Sequence, residues 1–349
     1  MGDLYALILA GGRGTRFWPR SRRTRAKQVL QVLGEQSLIQ QTFARLRPLI
    51  PPERFLIITN TWLREEIVRQ LPEVPAGQVI AEPAQRNTAP CIGLAARILL
   101  ERDPEAVMGV FPADHVIQRQ QAFLRVLERG ARLARRGSLV VLGIRPRWPE
   151  TGYGYIEFAG SKVRGFREKP NLAAARRFLR RGNFFWNSGM FLWKAAVIDR
   201  AIAEHLPDTA AALAGIRGRP GQIQFQQTLE AHYQSSDKIS IDYGVMEKAS
   251  NIAGIRCPEV GWNDVGSWNA VYELLEQDGQ RNVARSEALF RDASGNYVDA
   301  PGKLVALVGL ENVIVVDTPE ALLITRRDRA QQVGEVVKAL EERGRWDLL

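Results

Sequence analysis

The chain has 349 residues, of which 45% are hydrophobic and 25% charged, and its 48 basic and 38 acidic side chains give a formal net charge of +10. This composition is typical of a globular protein of about two domains and excludes a disordered or fibrous chain. No apolar run approaches the roughly 20 residues of a membrane span, and the N-terminus lacks the basic region of a signal peptide.

The first part of the chain alternates short apolar runs with segments of helical periodicity. Strands are predicted at Leu4–Leu9, Phe55–Thr59, Val107–Phe111 and Leu139–Ile144, and helices at Gln36–Ile50, Thr61–Leu71, Thr88–Glu101 and Gln120–Arg136. Thr88 is a candidate cap for the third of these helices. The alternation predicts a mainly parallel sheet with helices on both faces over about residues 3–145.

The rest of the chain has a different pattern. Strands are predicted at Tyr153–Phe158, Lys162–Glu168 and Met190–Trp193, helices at Leu172–Arg181 and Ile198–Leu206, a turn at 159–161 and an exposed loop at Gly215–Gly221. From about Asn282, short apolar runs alternate with Gly, Asp and Pro, at Leu304–Val308, Val313–Val316 and Leu322–Thr325. They predict a small β-rich tail, followed by an amphipathic helix over Arg329–Arg343. The fold class is therefore α/β, a Rossmann-like mixed, mainly parallel sheet with a β-rich tail.

Positive charge is concentrated in two segments. Residues 1–50 contain nine basic and two acidic side chains, and residues 151–200 contain ten and three. Such segments indicate anionic partners, either nucleic acid or small phosphorylated compounds. Because the sequence contains no zinc-finger spacing, RNP-like motif or basic leucine zipper, small phosphates are the favoured partners.

A glycine loop follows the first predicted strand. Gly11, Gly12 and Gly14 allow a sharp turn and the close approach of an anion to backbone N–H groups. Thr15, Arg16 and Lys27 add a hydroxyl donor and two cations to this segment. The spacing differs from both the dinucleotide-binding fingerprint and the P-loop. Read alone, the loop indicates a phosphate site, with a tight turn carrying surface arginines as the alternative.

The order of several motifs narrows the interpretation. LILAGGRGTRFWP, followed by Lys27–Gln28, resembles the signature of the sugar-1-phosphate nucleotidylyltransferases. Further motifs resemble the mannose-1-phosphate guanylyltransferases of that family, and they are EPAQRNTAP (82–90), FPADH (111–115), REKP (167–170), WNSGMF (186–191), SIDYGVMEK (240–248), WNDVGSW (262–268) and VIVVDTPEALLITRRDR (313–329). The resemblance extends over essentially the whole chain.

The resemblance implies an activity and a domain organisation. The reaction would join GTP and mannose 1-phosphate to give GDP-mannose and pyrophosphate. Residues 1–281 would form the catalytic domain, with a nucleotide half at about 1–145 and a sugar-phosphate half at about 146–281. Residues 282–349 would form part of a left-handed β-helix that can pair subunits, which implies a homodimer. By the same resemblance, the short, monofunctional form without an isomerase domain is expected.

The resemblance also implies roles in binding the triphosphate. Backbone donors of the loop, at Gly11, Gly12, Gly14 and Thr15, would hold the phosphates. Arg16 would stabilise the leaving pyrophosphate, and Lys27 would offset charge at the α-phosphate. The family usually has proline before this lysine, whereas this chain has Ala26, which predicts a looser backbone at Lys27.

Two acidic residues are implied as metal ligands. Asp114 follows an apolar strand, and Asp264 lies in a distant motif. Two carboxylates suit Mg²⁺ or another divalent cation that also binds substrate phosphates. Each aspartate alone could instead cap a helix, and His115 is assigned to packing or support of the site. With three histidines in the chain, a histidine-built zinc site is not expected.

The remaining motifs would bind the base and the sugar. By resemblance, the nucleotide base contacts the segment containing Glu82, Arg86, Asn87 and Thr88. The sugar phosphate would be bound by Gly152, Tyr153, Glu168, Lys169, Asn187 and Gly189, with Asp242 as a supporting residue. Without the resemblance, Glu82, Arg86 and Asn87 could be solvated at a helix start, and Glu168–Lys169 could be an ordinary charged pair. Trp186, Trp193, Trp262 and Trp268 could stack on a sugar ring, but core packing is expected for most of these four.

Competing functions remain open at this point. The same chemistry could use another nucleotide or hexose 1-phosphate. One or two hydrogen bonds are enough to distinguish the orientation of a sugar hydroxyl, so related sequences can differ in substrate. A catalytically silent subunit that senses nucleotide sugars is the alternative from another class. A dinucleotide oxidoreductase is excluded by the loop spacing, and neither a membrane nor a specific nucleic acid is expected as a partner. Cys91 and Cys257, far apart and without a CxxC pair, favour a reducing cytoplasmic location.

Overall fold

The computed structural model describes residues 3–160 and 162–349. Ser161, the last residue of the turn predicted at 159–161, lies outside them. No helix in the described ranges is both long and apolar enough to cross a membrane. The chain forms two compact units, each built from separate stretches. The first unit comprises the chain up to Gly11, Phe43–Ala113 and Ile117–Trp262, and the second comprises Gly12–Thr42, Asp114–Val116 and Asn263–Leu349. The domain boundary at residues 281/282 stays a prediction.

A nine-stranded mixed sheet is the framework of the first unit. The first ten strands of the chain are β1 (Leu4–Ala10), β2 (Phe55–Asn60), β3 (Val79–Glu82), β4 (Val107–Pro112), β5 (Val116–Ile117), β6 (Leu139–Ile144), β7 (Tyr155–Ala159), β8 (Lys162–Arg167), β9 (Phe184–Lys194) and β10 (Ile252–Arg256). The sheet order is β3-β2-β1-β4-β9-β6-β10-β8-β7. Parallel pairs join β1 to β2 and β4, and β9 is antiparallel to β4 and β6. The predicted mixed, mainly parallel sheet is confirmed.

Helices cover this sheet and bury its apolar side chains. The first eight are α1 (Leu38–Leu46), α2 (Arg64–Gln70), α3 (Thr88–Arg102), α4 (Gln120–Arg135), α5 (Leu172–Arg181), α6 (Ala195–His205), α7 (Pro207–Ala214) and α8 (Ile223–His232). A large core of buried Leu, Ile, Val and aromatic side chains fills the first unit, with Trp193 and Tyr233 fully buried in it. Burial of these side chains is the main stabilising contribution.

Several sequence-based boundaries were wrong. The strand predicted at Met190–Trp193 in fact spans Phe184–Lys194. The prediction was too short because Asn187, Ser188 and Gly189 interrupt the apolar run. Thr88 does not cap α3. Asn87 does so by accepting the N–H of Thr88 at 2.9 Å. The sequence-based prediction omitted α7 and α8 because their apolar periodicity is weak. Helix α7 consists mainly of alanine, and α8 is rich in glutamine.

The parallel strands bring candidate residues to one edge of the sheet. Gly11 follows β1, Glu82 ends β3, and Ala113 follows β4. Since β1 to β4 are mutually parallel, their carboxyl ends lie at the same edge, where open α/β sheets bind ligands. The N–H of Ala113 donates to the carbonyl of Leu9 at 3.0 Å and ties the ends of β1 and β4 together.

The second unit contains the β-rich tail and the glycine loop. Its elements after Asn263 are β12 (Val283–Ala284), β13 (Ala288–Arg291), β14 (Tyr297–Asp299), β15 (Val305–Val308), β16 (Val313–Asp317), β17 (Leu322–Arg326), α9 (Trp268–Leu274) and α10 (Val333–Glu342), and the two-residue strand Trp262–Asn263 (β11) precedes them. Parallel stacks form from β12, β14 and β16 and from β13 and β15. This confirms the β-rich tail, while the left-handed sense stays a prediction. The final helix begins at Val333 because 3₁₀ turns occupy Arg327–Gln332.

The core of the second unit anchors the glycine loop. Phe17 and Trp18 pack with Trp268, Tyr297 and Val333 in one buried cluster. The indole N–H of Trp268 donates to the carbonyl of Trp18 at 3.1 Å. The loop is therefore fixed to the tail although more than 200 residues separate them in the chain.

Candidate active site

The glycine loop turns sharply at Gly14. This residue has a φ of +63°, and a Cβ placed on it would lie 2.5 Å from the Cβ of Lys27 and 2.9 Å from its backbone nitrogen. Any side chain would therefore clash with Lys27, besides straining the backbone. The carbonyl of Gly14 accepts the N–H of Phe17 at 2.9 Å and begins the 3₁₀ turn at Thr15–Phe17.

The middle of the loop faces open space and is supported from behind. No atom lies within 4 Å of a Cβ position on Gly12, so its backbone is open to a ligand. Gln28 Nε2 donates to the carbonyl of Gly12 at 3.0 Å, and Ser21 Oγ donates to that of Arg13 at 2.9 Å. These contacts fix the loop before any ligand arrives, which lowers the entropy cost of binding.

Lys27 connects the two predicted metal ligands. Only 6% of this lysine is exposed, and its Nζ donates to Asp114 Oδ2 at 2.8 Å and to the backbone carbonyl of Asp264 at 2.7 Å. It also lies 5.4 Å from the centre of the Phe17 ring. A lysine held by two acceptors presents its charge in a fixed place.

The turn at Asp264 depends on its neighbours. Asn263 Oδ1 accepts the N–H of Val265 at 2.7 Å, and Val265 has a φ of +48°, which is rare for a β-branched residue. The Val265 side chain is fully buried in the core of the second unit, and this burial offsets the strain. A Cβ on Gly266 would lie 3.0 Å from Asp264 Oδ2, so the glycine leaves room for the carboxylate.

These residues line one cavity of about 290 Å³ in the second unit. Its walls are Gly14, Thr15, Arg16, Phe17, Lys27, Asp114, His115, Asp264 and Gly266. Arg16 is exposed there and donates to the carbonyl of Gly266 at 3.4 Å. Burial alone would raise the pKa of Asp114, but the charges of Lys27 and His115 and the Lys27 hydrogen bond together hold it below its ordinary value. Asp114 is therefore ionised at neutral pH.

The donor set of the cavity fits a hard divalent cation. Within residues 3–160 and 162–349, no group of three or more His, Cys, Asp or Glu side chains could hold a metal by itself. The cavity supplies two carboxylates, from Asp114 and Asp264. Mg²⁺ commonly binds through one or two carboxylates and completes its shell with water and substrate phosphates. The residues thus suit a metal that arrives with a nucleotide.

Glu82 is buried beneath the start of the glycine loop in the first unit. Its exposed fraction is 8%, and Tyr233 Oη donates to its Oε2 at 2.8 Å. A Cβ on Gly11 would lie 2.9 Å from Oε1. Burial raises the pKa of Glu82 to about 7, although the Tyr233 hydrogen bond opposes the rise. Its charge therefore changes near neutral pH.

The other residues predicted near the base contact protein groups. Arg86 Nη2 donates to the carbonyl of Gln234. Thr88 Oγ1 accepts the N–H of Ile241 at 2.9 Å. The Asn87 side chain caps α3 from a backbone with a φ of +66°. In this structure all three therefore help to hold the segment in place.

The predicted sugar residues surround a half-buried acidic pair, Glu168 and Asp242. Asn187 Nδ2 donates to Asp242 Oδ1 at 2.6 Å, and Asn187 Oδ1 accepts the N–H of Gly189 at 3.0 Å. Burial, and then the charge of Glu168, raise the pKa of Asp242 to about 6. Lys169 Nζ lies 3.2 Å from Glu168 Oε1. The two hydrogen bonds of Asn187, to Asp242 and from Gly189, hold its amide in one orientation.

Gly152 and Tyr153 lie in an adjoining loop. The N–H of Gly152 donates to Glu150 Oε1 at 2.7 Å. The Tyr153 ring packs edge-on against Trp186 and Trp262, with centroid distances of 5.2 and 5.4 Å. Trp186 is buried, as are Trp193 and Trp268, so core packing is confirmed for these three tryptophans.

The predicted residues thus fall into two groups. The first unit holds Gly11, Glu82, Arg86, Asn87, Thr88, Gly152, Tyr153, Glu168, Lys169, Asn187 and Gly189, and the second holds Gly12, Gly14, Thr15, Arg16, Lys27, Asp114 and Asp264. Within each group the contacts above join residues that are distant in sequence. Their individual roles stay predictions.

Comparison with known proteins decides the family. Residues 5–281 match the family model described as nucleotidyl transferase, and residues 287–340 match that of the MannoseP isomerase/GMP-like beta-helix domain. The chain belongs to the nucleotidyl transferase family. The second match agrees with the parallel stacks seen after Asn282.

Similar proteins are known from several bacteria. Xanthan biosynthesis protein XanB of Xanthomonas campestris pv. campestris (strain B100) is 38% identical over 99% of this chain and 75% of its own length. A mannose-1-phosphate guanylyltransferase of Sinorhizobium fredii is 38% identical over 95% of this chain and 67% of its own. A crystal structure from Thermus thermophilus, described as a mannose-1-phosphate geranyltransferase, superposes with a TM-score of 0.85 at 36% identity, covering 97% of this chain and 99% of that one.

Sequence reasoning missed several residues that contact the candidate site residues. Gly154 was overlooked, although a Cβ there would lie 2.3 Å from Glu168 Oε2, and the G-Y-G spacing at 152–154 was a usable signal. Gln28 lies in the motif that carries the resemblance, but only its contact with the Gly12 carbonyl shows that it supports the loop. No local signal identified Tyr233 or the backbone carbonyl of Asp264, because their partners lie 151 and 237 residues away.

Ala26 adopts the backbone that proline would impose. Its φ is −72°, and its carbonyl accepts the N–H of Val29 at 3.0 Å to begin the turn carrying Lys27. The folded chain thus already has the conformation that proline would fix, so proline would act mainly by restricting the unfolded state, and the looser backbone at Lys27 stays a prediction. We expect Ala26→Pro to increase the free energy of unfolding by about 0.5–1 kcal/mol and to leave kcat unchanged, as measured by urea unfolding and initial rates. A destabilised variant would contradict this reading of the turn.

Proposed function

We propose that this protein is a mannose-1-phosphate guanylyltransferase, which forms GDP-mannose and pyrophosphate from GTP and mannose 1-phosphate. The observation that carries the proposal is the contact of Lys27 with Asp114 and the Asp264 carbonyl in the cavity beside the glycine loop. A fixed cation, two carboxylates and backbone donors are the groups that phosphoryl-type transfer requires. The names of the similar proteins point to the same substrates.

The reaction needs positioning and charge stabilisation more than a protein nucleophile. The phosphate oxygen of mannose 1-phosphate attacks the α-phosphorus of GTP in line, and pyrophosphate leaves. Backbone donors at Gly11, Gly12, Gly14 and Thr15 bind the triphosphate. Arg16, exposed in the cavity, offsets charge on the departing pyrophosphate. Lys27 offsets charge at the α-phosphate.

Asp114 and Asp264 would hold Mg²⁺ or another divalent cation. When bound, the cation supplies charge neutralisation and orients the phosphate oxygens. Asp114 is suited to this because Lys27 and His115 keep its pKa low, so that it does not need to lose a proton on binding. Lys27 also keeps the carboxylate oriented in the absence of the cation.

The first unit supplies recognition of the base and of the sugar. Glu82, Arg86, Asn87 and Thr88 form the base segment, in which the carboxylate of Glu82 can accept the guanine N1–H and N2–H₂ donors. The sugar phosphate is bound by Gly152, Tyr153, Glu168, Lys169, Asn187 and Gly189. Glu168 accepts from sugar hydroxyls, and exposed Lys169 pairs with the phosphate. We further propose a cytoplasmic homodimer, consistent with two buried cysteines that form no disulfide.

Pyrophosphate release tests the proposal directly. Purified protein with Mg²⁺ is given GTP, ATP, UTP, CTP or dTTP, each with mannose 1-phosphate and separately with glucose 1-phosphate. We expect turnover to favour GTP with mannose 1-phosphate by at least about 100-fold over the other pairs. Preference for another pair would overturn the substrate assignment while keeping the chemistry. Tight binding of GDP-mannose with no turnover of any pair would instead indicate a sensing subunit.

A further inference from the structure

We propose that Tyr233 is a positioning residue that sets the preference for guanine over adenine by keeping the Glu82 carboxylate a hydrogen-bond acceptor. This inference rests on the proposed function, since it concerns the base of the nucleotide used there. Tyr233 belongs to the 3₁₀ turn Tyr233–Ser235, outside every motif that the sequence associates with the nucleotide.

The contact is direct and shielded from water. Tyr233 is fully buried, Glu82 is 8% exposed, and the hydroxyl donates to Oε2 at 2.8 Å. Burial raises the pKa of the Tyr233 phenol well above its ordinary value, so its proton remains available for donation. With Oε2 occupied, Oε1 is the oxygen on the side of Gly11, where the glycine loop begins.

The segment after Tyr233 fixes the base segment at further points. The carbonyl of Gln234 accepts from Arg86, the carbonyl of Ile239 accepts the N–H of Ala89 at 3.1 Å, and the N–H of Ile241 donates to Thr88 Oγ1 at 2.9 Å. The Tyr233–Glu82 bond is thus one of several between these two stretches. A phenol in this setting cannot rotate away from the carboxylate without disturbing its neighbours.

The protonation state of Glu82 matters because guanine and adenine differ at N1. Guanine presents N1–H and N2–H₂ donors, which an ionised carboxylate accepts. Adenine presents an N1 lone pair, which an ionised carboxylate repels and a protonated carboxyl can donate to. Burial raises the pKa of Glu82 to about 7, and the Tyr233 hydrogen bond is the contact that lowers it. Tyr233 therefore favours the form that accepts from guanine.

Other groups near the pair do not replace this control. The Cys91 thiol lies close enough to interact with both Glu82 and Tyr233, but its own pKa is raised well above the ordinary value by burial, so it stays neutral. Arg86 acts on the Tyr233 phenol and carries a constant charge. Burial raises the pKa of Asp242 to about 6, which is close to that of Glu82. Asp242 lies among the residues proposed to bind the sugar, so its titration should affect GTP and ATP binding equally and cancel in the ratio of their dissociation constants.

The test is the ratio of ATP to GTP dissociation constants, measured by calorimetry without sugar phosphate from about pH 5.5 to about pH 8.5. For the wild-type chain we expect the preference for GTP to rise with pH, with the midpoint of the rise near the pKa of Glu82. For Tyr233→Phe we expect this midpoint to move up by about one pH unit and the ratio at pH 7 to fall about tenfold. For Glu82→Gln, which does not titrate, the ratio should be independent of pH.

Tyr272→Phe is the matched control. Tyr272 is also buried and its hydroxyl donates to the carbonyl of Arg281 at 2.8 Å, but it belongs to neither the base nor the sugar segment. It should keep the wild-type midpoint. If Tyr233→Phe weakens GTP and ATP equally with an unchanged midpoint, its role is structural packing and the inference is wrong. A wild-type chain that prefers GTP in binding but releases no pyrophosphate would overturn the proposed function instead.

Discussion

Asp264→Asn is expected to reduce kcat/KM for pyrophosphate release by about 10³-fold or more. The amide has the same size as the carboxylate, and the substitution leaves the backbone carbonyl of residue 264 in place. This carbonyl accepts a hydrogen bond from Lys27 Nζ at 2.7 Å, so the lysine should keep its position. What is lost is one of the two carboxylates in the cavity. The Mg²⁺ concentration for half-maximal rate should also rise by at least about tenfold. Steady-state kinetics over a Mg²⁺ titration measure both effects.

Asp328→Asn is the matched control for this prediction. Asp328 lies in the same unit and pairs with Arg326 at 2.9 Å on an exposed surface, where such pairs contribute little. Its rate and Mg²⁺ requirement should equal those of the wild type. Retention of a third or more of the wild-type kcat/KM by Asp264→Asn would remove Asp264 from the proposed metal site and leave Asp114 as its only carboxylate.

Lys27→Met is the second change with a large expected effect, a fall in kcat of about 10²–10³-fold. Methionine fills a similar volume but leaves Asp114 and the Asp264 carbonyl without the cation between them. The free energy of unfolding should fall by about 2 kcal/mol, because Asp114 is only partly shielded and water can replace some of the lost contact. Initial rates and urea unfolding measure the two consequences.

The same variant has a pH signature. Without Lys27, burial remains while the largest opposing charge is gone, so the pKa of Asp114 should rise. Since Asp114 must be ionised to bind the cation, the acid limb of the kcat/KM profile should move to higher pH. Lys303→Met is the control, because Lys303 also donates to a buried aspartate, Asp317, at 2.8 Å but lines no part of the cavity. An unchanged acid limb in Lys27→Met would argue against the Lys27–Asp114 pair.

Much of the fold was predictable because its strongest signals are local. The runs at Leu4–Ala10, Phe55–Asn60 and Val107–Pro112 are continuous and apolar, as buried parallel strands require. The glycine loop was visible because its residue types are unusual at that spacing. Strand β9 was mostly missed, since Asn187, Ser188 and Gly189 interrupt its apolar run with polar and small residues whose side chains bond to Asp242 and to the Leu142 carbonyl.

The division into units was less visible in the sequence. The glycine loop precedes most of the first unit in the chain, yet Phe17 and Trp18, which follow it directly, pack with Trp268, Tyr297 and Val333 of the tail. A sequence-based boundary follows changes in composition along the chain. The compact units instead follow which apolar surfaces cover each other, and Phe17 and Trp18 are covered by the tail.

By itself, the sequence determined the residue types and the order of the segments proposed to bind phosphate, metal, base and sugar, and from these motifs the resemblance to the family. Only the tertiary structure decided that Lys27 contacts both Asp114 and the Asp264 carbonyl and that Tyr233 donates to Glu82. The physical reason is that these contacts join residues 87 to 237 positions apart, and no local propensity specifies their distance. Burial of the surrounding core brings them within hydrogen-bonding range, and the same burial sets the pKa of Glu82 and of Asp242.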